Sequence, residues 1–252
     1  MKKLSTVLIL FVMAVAVIFT KPLSASALDS TISWGLNPNT KELTPEPPAG
    51  GAEMLKKYHG FFLGNTQEKK VYFTFDLGYE AGYTSKVLDI LAENNIKAIF
   101  FLCGNYLKQE DLIKRMIDEG HYFGNHTDKH KDLPTLSDAD IEKDITTVQD
   151  NFRNLYSQPM LFFRPPQGRF NERVLKAALN EGLKTTLWSI AIVDWGKSPI
   201  NASENANKIE KRLHPGAVIL FHITNCGTPE MLKLLIPKII QKGYKIGSPS
   251  EL

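Results

Sequence analysis

The feature that most constrains the fold is a regular alternation of short apolar runs with longer amphipathic stretches, from Lys70 to Leu252. The apolar runs predict buried strands, and the stretches between them have helical periodicity. This alternation is typical of βα units and a parallel sheet. The predicted strands are 71–75, 98–102, 121–125, 161–164, 185–190, 217–221 and 244–246, and the predicted helices are 84–94, 110–119, 137–155, 171–181, 202–213 and 229–242.

About seven strands in series predict an α/β fold with a closed or nearly closed (β/α) barrel. An open doubly wound sheet is the main alternative, because strand order cannot be derived from one sequence. The barrel domain is assigned to residues 70–252. Residues 28–69 are irregular and rich in proline, which predicts an extended arm that lies on the domain.

The first 27 residues have the parts of a secretory signal: Lys2 and Lys3, an apolar run at 7–19, and small residues at 25–27. The run of 13 residues is short for a membrane span, which needs about 20. An uncleaved anchor is the alternative, since Lys21 lies close behind the run. We expect the domain to work outside the cytoplasm, at a membrane only if this segment stays uncleaved.

Composition and charge exclude several classes of protein. Apolar residues make up 43% of the chain, as in a globular domain and unlike a disordered or collagen-like chain. The formal charge of +3 is accounted for by the lysines of residues 1–27, so we expect no nucleic-acid partner. We expect the protein to be a monomer. Two cysteines, Cys103 and Cys226, are too few for a disulfide framework, and a bond between them stays open.

Polar residues that are able to take part in catalysis follow several of the predicted strands. In parallel βα folds the residues just after the strands form the active site, whereas the strand interiors form the core. One such Asp or His alone is more often a cap or a surface residue, but several on one face predict an active site. The segments are 76–80, 126–130, 164–168, 194–195 and 222.

His126 and His130 are four residues apart. This spacing predicts two imidazoles on one side of a helical turn, where they can share a divalent ion. Such an ion would polarise a carbonyl and activate a water molecule. The pair alone does not decide the question, because two histidines in a polar loop are also compatible with a plain surface.

Two further pairs of residues predict acid–base chemistry. Asp76 is the expected acceptor of a proton from water, and His222 is the expected donor of a proton to a leaving group. Arg164 is expected to hold Asp76 by a charged hydrogen bond, and Asp194 to orient His222 and stabilise its charged form.

In this order the motifs resemble those of the polysaccharide deacetylases of carbohydrate esterase family 4, the NodB-homology domain, over residues 70–252. The resemblance implies a distorted (β/α) barrel and metal-assisted hydrolysis of the N-acetyl group of an amino sugar. The chain is also similar to the peptidoglycan N-acetylmuramic acid deacetylases of endospore formers, which act on muramic acid without its peptide, in the route to the muramic δ-lactam of spore cortex. The motifs lie at 74–78, 126–130, 164–168, 194–195 and 219–222, and those of the subgroup at 75–80, 82–84, 188–189 and 193–195.

The resemblance also implies a role for each site residue. Asp76 is the base and His222 is the acid. His126 and His130 are the metal ligands. Arg164 tunes the base, and Asp194 tunes the acid. The backbone amide of Gln167 contributes to the oxyanion hole, and Trp195 with Phe221 lines the pocket for the acetyl methyl group.

One departure from the family concerns the metal. Most members have a second Asp directly after the base, as third metal ligand, where this chain has Leu77. We therefore expect a divalent metal, zinc, that is weakly bound, with Glu80 or Asp128 as possible sources of another oxygen. The muramic acid subgroup is also atypical here, with an amide in place of the acid. Ala191 replaces the first Asp of the fourth motif.

The leading hypothesis is an extracytoplasmic deacetylase of N-acetylmuramic acid in the peptidoglycan glycan strand. A second hypothesis keeps the chemistry but places it on N-acetylglucosamine in peptidoglycan or in chitin-like oligomers. A third is a non-catalytic carbohydrate-binding protein, which only Leu77 favours. The presence of a matched acid and base argues against it, because a binding module needs neither.

Overall fold

The computed structural model describes residues 30–37, 42–196 and 198–252. The expected signal or anchor, residues 1–27, lies outside the described residues. In the described part of the chain, no helix combines the length and the apolar character that crossing a bilayer requires.

The main sheet is parallel and curls through 205° around an axis, so the predicted distorted (β/α) barrel is confirmed as a half-barrel. The strands are β1 (Ile32–Ser33), β2 (Lys70–Leu77), β3 (Ile99–Leu102), β4 (Tyr122–Asn125), β5 (Phe162–Phe163), β6 (Arg169–Phe170), β7 (Lys184–Thr185), β8 (Ile190–Ala191), β9 (Ala217–His222) and β10 (Lys245–Ile246). From edge to edge the order is β7-β5-β4-β3-β2-β9-β8, and β10 pairs with the start of β2.

Among the described residues, six α-helices pack on the outer side of the sheet and lie within a few residues of the predicted ones. A seventh, at residues 51–57, lies in the N-terminal arm, which the sequence predicted to be irregular. In chain order these helices are α1 (Gly51–Lys57), α2 (Thr84–Glu93), α3 (Glu110–Asp118), α4 (Asp138–Tyr156), α5 (Glu172–Asn180), α6 (Ala202–Glu210) and α7 (Thr228–Gln241). Ser137 caps α4, since its hydroxyl oxygen accepts from the Asp140 amide at 3.2 Å. This bond satisfies one of the amides that have no partner at a helix start.

The two faces of the sheet carry different side chains because successive residues of a strand point to opposite sides. In β2, Phe73, Phe75 and Leu77 belong to the large core between sheet and helices. The inner side holds a smaller cluster of Ile99, Phe101 and Phe162. The central strand therefore presents Asp76 to the inside of the half-barrel, above an apolar layer.

The predicted strand 185–190 is divided into β7 and β8, which pair on opposite edges of the sheet. The cause is the N-terminal arm. The Phe61 amide donates to the Thr185 carbonyl at 2.9 Å, and the Leu187 amide donates to the Phe61 carbonyl at 2.9 Å. Phe61 thus supplies the hydrogen bonds of a neighbouring strand, while the chain crosses from one edge to the other.

The arm makes three further contacts with the domain. β1 pairs with β6 in antiparallel fashion, and the indole nitrogen of buried Trp34 donates to the Trp188 carbonyl at 2.9 Å. Leu63 forms a bridge with Ala217 of β9. The arm is therefore joined to the domain at several places, and the domain boundary at residue 70 stays a prediction.

Cys103 and Cys226 are both free, so the disulfide that the sequence left open is absent. Cys103 is buried, and its thiol donates to the His126 carbonyl at 3.2 Å. Burial raises the pKa of Cys103, so its thiol is protonated at neutral pH.

Candidate active site

A cavity of about 1090 Å³ opens at the carboxyl ends of the strands, where the sequence predicted the site. Such a location is the usual place for the active site of a parallel α/β fold. Of the predicted site residues, those that line the cavity are Asp76, His126, His130, Gln167, Trp195 and His222.

Asp76 and Arg164 form a buried ion pair at the floor of this cavity. The Arg164 guanidinium donates from Nη1 to Asp76 Oδ1 at 2.7 Å, and it lies 4.0 Å from the centre of the Phe101 ring. Burial opposes the charge of Asp76, but Arg164 and the nearby imidazoles outweigh it and lower the pKa of Asp76 below its usual value. Asp76 is therefore ionised at neutral pH and able to accept a proton.

His126 and His130 lie side by side, with ring centres 4.9 Å apart. The prediction of a helical turn is wrong, because both belong to a loop in which Thr127 and His130 have φ of 65° and 51°. These left-handed residues reverse the chain within five residues. The two imidazole rings are close together, as predicted, but a loop and not a helical turn places them there.

The His126 ring is oriented as a metal ligand would be. Its Nδ1 donates to the Arg164 carbonyl at 2.8 Å, since a carbonyl only accepts, and its Nε2 lies 3.6 Å from Asp76 Oδ2. Burial lowers the pKa of His126 to about 4 despite the charge of Asp76. The neutral ring therefore presents the lone pair of Nε2 to the cavity, and a backbone bond to the other nitrogen is usual in metal sites.

The imidazole nitrogens of His126 and His130 are donor atoms that would suit a divalent transition metal. A catalytic zinc normally has three protein ligands, but in the described part of the chain no cluster of three or more His, Cys, Asp or Glu has metal-binding geometry. Leu77 belongs to the core on the helix side of the sheet. The position of the family's third ligand is therefore apolar.

The two carboxylates considered as substitutes differ in their surroundings. Glu80 accepts hydrogen bonds from the Gly82 amide and from the hydroxyls of Thr84 and Tyr106, and it is held at the start of α2. Asp128 lines the cavity and is paired with Lys129 at 2.9 Å. Glu80 is thus committed to a structural role, and only Asp128 remains beside the cavity.

His222 and Asp194 form the second charged pair of the site. His222 Nδ1 lies 2.8 Å from Asp194 Oδ1, and the His222 amide donates to Asp194 Oδ2 at 2.7 Å. Burial disfavours the charged ring, but the fully buried carboxylate of Asp194 outweighs this and raises the pKa of His222 above its usual value. The raised pKa favours the protonated form of the ring, which lines the cavity and is able to donate a proton there.

The remaining predicted residues have mixed outcomes. Gln167 lines the cavity from a turn in which its φ is 59°, and Trp195 lines the mouth with 57% of its surface exposed. Phe221 does not line the cavity, because its ring packs against Phe73 and Phe75 in the core. Leu220 lines the cavity in its place.

Two residues that the sequence analysis missed hold the loop 126–130, here called the histidine loop. The Asn125 side chain donates to the Ile145 carbonyl at 2.8 Å and accepts from the Thr127 amide at 2.9 Å. Asp144 accepts from the Lys129 amide with its carboxylate and from the Asp128 amide with its carbonyl. Asn125 directly precedes His126 and was detectable as a strand-end residue, whereas Asp144 lies inside α4 and carries no local signal.

An ionised carboxylate, a His–Asp pair and two further imidazoles around one cavity are the arrangement expected of a metal-assisted hydrolase. Comparison with known proteins agrees. The sequence profile of the Polysaccharide deacetylase family matches residues 63–186. The peptidoglycan-N-acetylmuramic acid deacetylase PdaA of Bacillus subtilis is 38% identical over 227 residues, which are 88% of this chain and 85% of PdaA.

Two further comparisons support the same family. The solved structure of Bacillus subtilis PdaA, described as a family 4 carbohydrate esterase, superposes with a TM-score of 0.84 at 36% identity and covers 89% of this chain and 97% of PdaA. A peptidoglycan-N-acetylglucosamine deacetylase of Bacillus cereus is 34% identical over 196 residues, 76% of this chain and 70% of that protein. The chain belongs to the polysaccharide deacetylases of carbohydrate esterase family 4, metal-dependent hydrolases of N-acetyl amide bonds.

Proposed function

We propose that the chain removes the acetyl group from N-acetylmuramic acid in peptidoglycan from which the stem peptide is absent, in the formation of muramic δ-lactam in spore cortex. The observation that carries the chemistry is one cavity lined by Asp76, which Arg164 keeps ionised, and by His222, whose pKa Asp194 raises. The muramic acid substrate is supported by the likeness to PdaA, which extends over 88% of the chain and so includes much of the N-terminal arm.

In the proposed reaction, Asp76 accepts a proton from the water that attacks the acetyl carbon, and Arg164 keeps the carboxylate ionised and oriented. His126 and His130 would hold a divalent ion, zinc in our proposal, and the ion would supply Lewis-acid chemistry there, by polarising a carbonyl and making water more acidic. As the C–N bond breaks, His222 donates a proton to the leaving amine. The products are acetate and the free amine of the sugar.

The surrounding residues would hold the acetyl group in place. We infer that the Gln167 backbone amide donates to the developing oxyanion, because Gln167 faces the cavity from a tight turn. Trp195 and Leu220 offer apolar surface to the methyl group. We further propose that residues 1–27 direct the chain out of the cytoplasm and that it acts there as a monomer on glycan strands.

The substrate is tested by mass spectrometry of muropeptides after treatment with the purified protein. Peptidoglycan is used intact and after enzymatic removal of the stem peptides. We expect loss of acetyl from muramic acid only in the peptide-free material. Loss of acetyl from glucosamine would instead select the second candidate, which the Bacillus cereus relative favours.

Metal binding is expected to be weak, because the described residues provide two imidazoles and no third ligand. Titration calorimetry with zinc should give a dissociation constant in the micromolar range or weaker. His126→Ala should weaken binding by more than about 100-fold, since even loss of an outer hydrogen bond to a ligand costs 10–100-fold. His59→Gln, at an exposed histidine away from the cavity, is the matched control. Nanomolar affinity of the wild type would show that a ligand has been missed.

The pH dependence follows from the two pKa shifts. Asp76 is ionised throughout the neutral range because its pKa is lowered, so kcat/KM should not fall there on the acidic side. His222 must be protonated, and its pKa is raised, so kcat/KM should fall only as pH rises above about 6.5. Asp194→Asn removes the charge that raises this pKa and should move the alkaline limb to lower pH. An alkaline limb at the same pH in both proteins would contradict the assignment of His222.

A further inference from the structure

The cavity has one positive charge that no carboxylate balances within the described residues. Asp76 is neutralised by Arg164 at 2.7 Å, and Lys129 is paired with Asp128 at 2.9 Å. Lys108 also lines the cavity, but its partner is the neutral side chain of Asn105, with Nζ 3.3 Å from Oδ1. The ammonium group of Lys108 is thus available to an anion.

The position of Lys108 follows from the order of the strands. β3 lies between β2, which carries Asp76, and β4, which precedes His126. The short 3-10 helix Gly104–Lys108 continues from β3, and the Gly104 amide donates to the Thr127 carbonyl at 3.1 Å. Lys108 and Asn105 therefore lie on the segment that leaves the sheet between the base and the histidine loop.

Asn105 adds a second donor to this wall of the cavity. Its Oδ1 accepts from Lys108, so its Nδ2 hydrogens remain for a ligand. Both side chains are exposed to the cavity mouth. One ammonium and one amide donor side by side suit a carboxylate, whose two oxygens accept separate hydrogen bonds.

We propose that Lys108, with Asn105, binds a carboxylate of the substrate next to the reacting acetamide. This inference rests on the proposed function, since it assigns the carboxylate to the lactyl group of muramic acid. That group lies on the ring carbon next to the acetamide, and it is charged only when no stem peptide is attached. A stem peptide turns the carboxylate into a neutral amide, and glucosamine has no lactyl group. Lys108 therefore selects peptide-free muramic acid.

The test compares two forms of one substrate. Peptide-free glycan strands are used with free lactyl carboxylates and after conversion of these groups to primary amides with ammonia and a carbodiimide. The readout is the ratio of kcat/KM for the free form to that for the amidated form, which does not depend on the folded fraction of a variant. Lys108→Gln should lower this ratio about tenfold, mainly through KM, as loss of a charged hydrogen bond predicts.

Control variants identify the residue that is responsible. Lys114→Gln removes an exposed lysine on α3, paired with Glu110 at 3.3 Å, and should leave the ratio as in the wild type. An unchanged ratio in Lys108→Gln, or a larger fall in Lys129→Gln, would overturn the proposal.

A binding experiment separates this proposal from the proposed function. Calorimetry with Asp76→Asn, alone and combined with Lys108→Gln, measures affinity for the free-carboxylate strands without turnover. About tenfold weaker binding in the double variant supports the carboxylate site even if the wild type releases no acetate, a result that would overturn the proposed reaction alone. Equal affinities would overturn the carboxylate site whatever the activity.

Discussion

Asp76→Asn is expected to lower kcat for deacetylation by about 10²–10⁴-fold, the usual effect of removing a general base. The amide keeps the shape of the side chain but cannot accept a proton from water. Arg164 is fully buried and would keep a hydrogen-bond acceptor but lose its counter-charge. We therefore expect the free energy of unfolding to fall by about 3–5 kcal/mol as well.

The loss of stability must be separated from the loss of activity. Circular dichroism and thermal unfolding give the temperature range in which Asp76→Asn is folded, and kcat is measured within it. Zinc titration is a second control, because His126 and His130 are unchanged. Activity within about threefold of the wild type would exclude Asp76 as the base, since a base contributes at least about 100-fold.

His222→Ala is expected to lose as much activity on amide substrates as Asp76→Asn does, because an amine leaves poorly unless it is protonated. An acetate ester with an acidic alcohol needs no such proton. The variant should therefore retain much more of its activity on the ester than on the N-acetyl sugar. Asp76→Asn should lose both activities, because attack by water needs the base in either case.

His222→Gln is the matched variant for the acid. Its amide is able to donate a hydrogen bond toward the buried carboxylate of Asp194, which His222→Ala leaves without its ring partner. Both variants should show the same preference for the ester over the amide. If His222→Gln hydrolysed the N-acetyl sugar at a wild-type rate, His222 would be a positioning residue and the acid would lie elsewhere.

The fold was largely predictable from the sequence because its elements have strong periodicity. The longest predicted helix, 137–155, differs by one residue at each end from Asp138–Tyr156. The division of the strand 185–190 was not predictable, because it depends on hydrogen bonds with Phe61, more than 120 residues earlier. Local patterns contain no information on such distant pairing.

The charged site residues were predictable because each ends a strand on the same edge of the sheet. The structure brings Asp76 and Arg164 together, as it does His222 and Asp194. The conformation of the histidine loop was not predictable, because it depends on residues with positive φ and on Asp144 of α4.

The error on Phe221 was avoidable. His222 and Leu220 are two residues apart on one strand, so their side chains share a face. Once His222 is assigned to the cavity, Phe221 belongs to the opposite face, where it packs in the core. Strand alternation therefore predicts which residue of β9 lines the cavity more reliably than the motif does.

The central claim is that this chain hydrolyses an N-acetyl group with a metal, Asp76 and His222 in one cavity. The most direct test is acetate release from peptide-free glycan strands by the wild-type protein before chelation, after chelation and after zinc is restored, with Asp76→Asn as the blank. We predict acetate release that stops on chelation, returns with zinc and is reduced at least about 100-fold in Asp76→Asn. Release that persists in Asp76→Asn, or none from the zinc-restored wild type, would contradict the account.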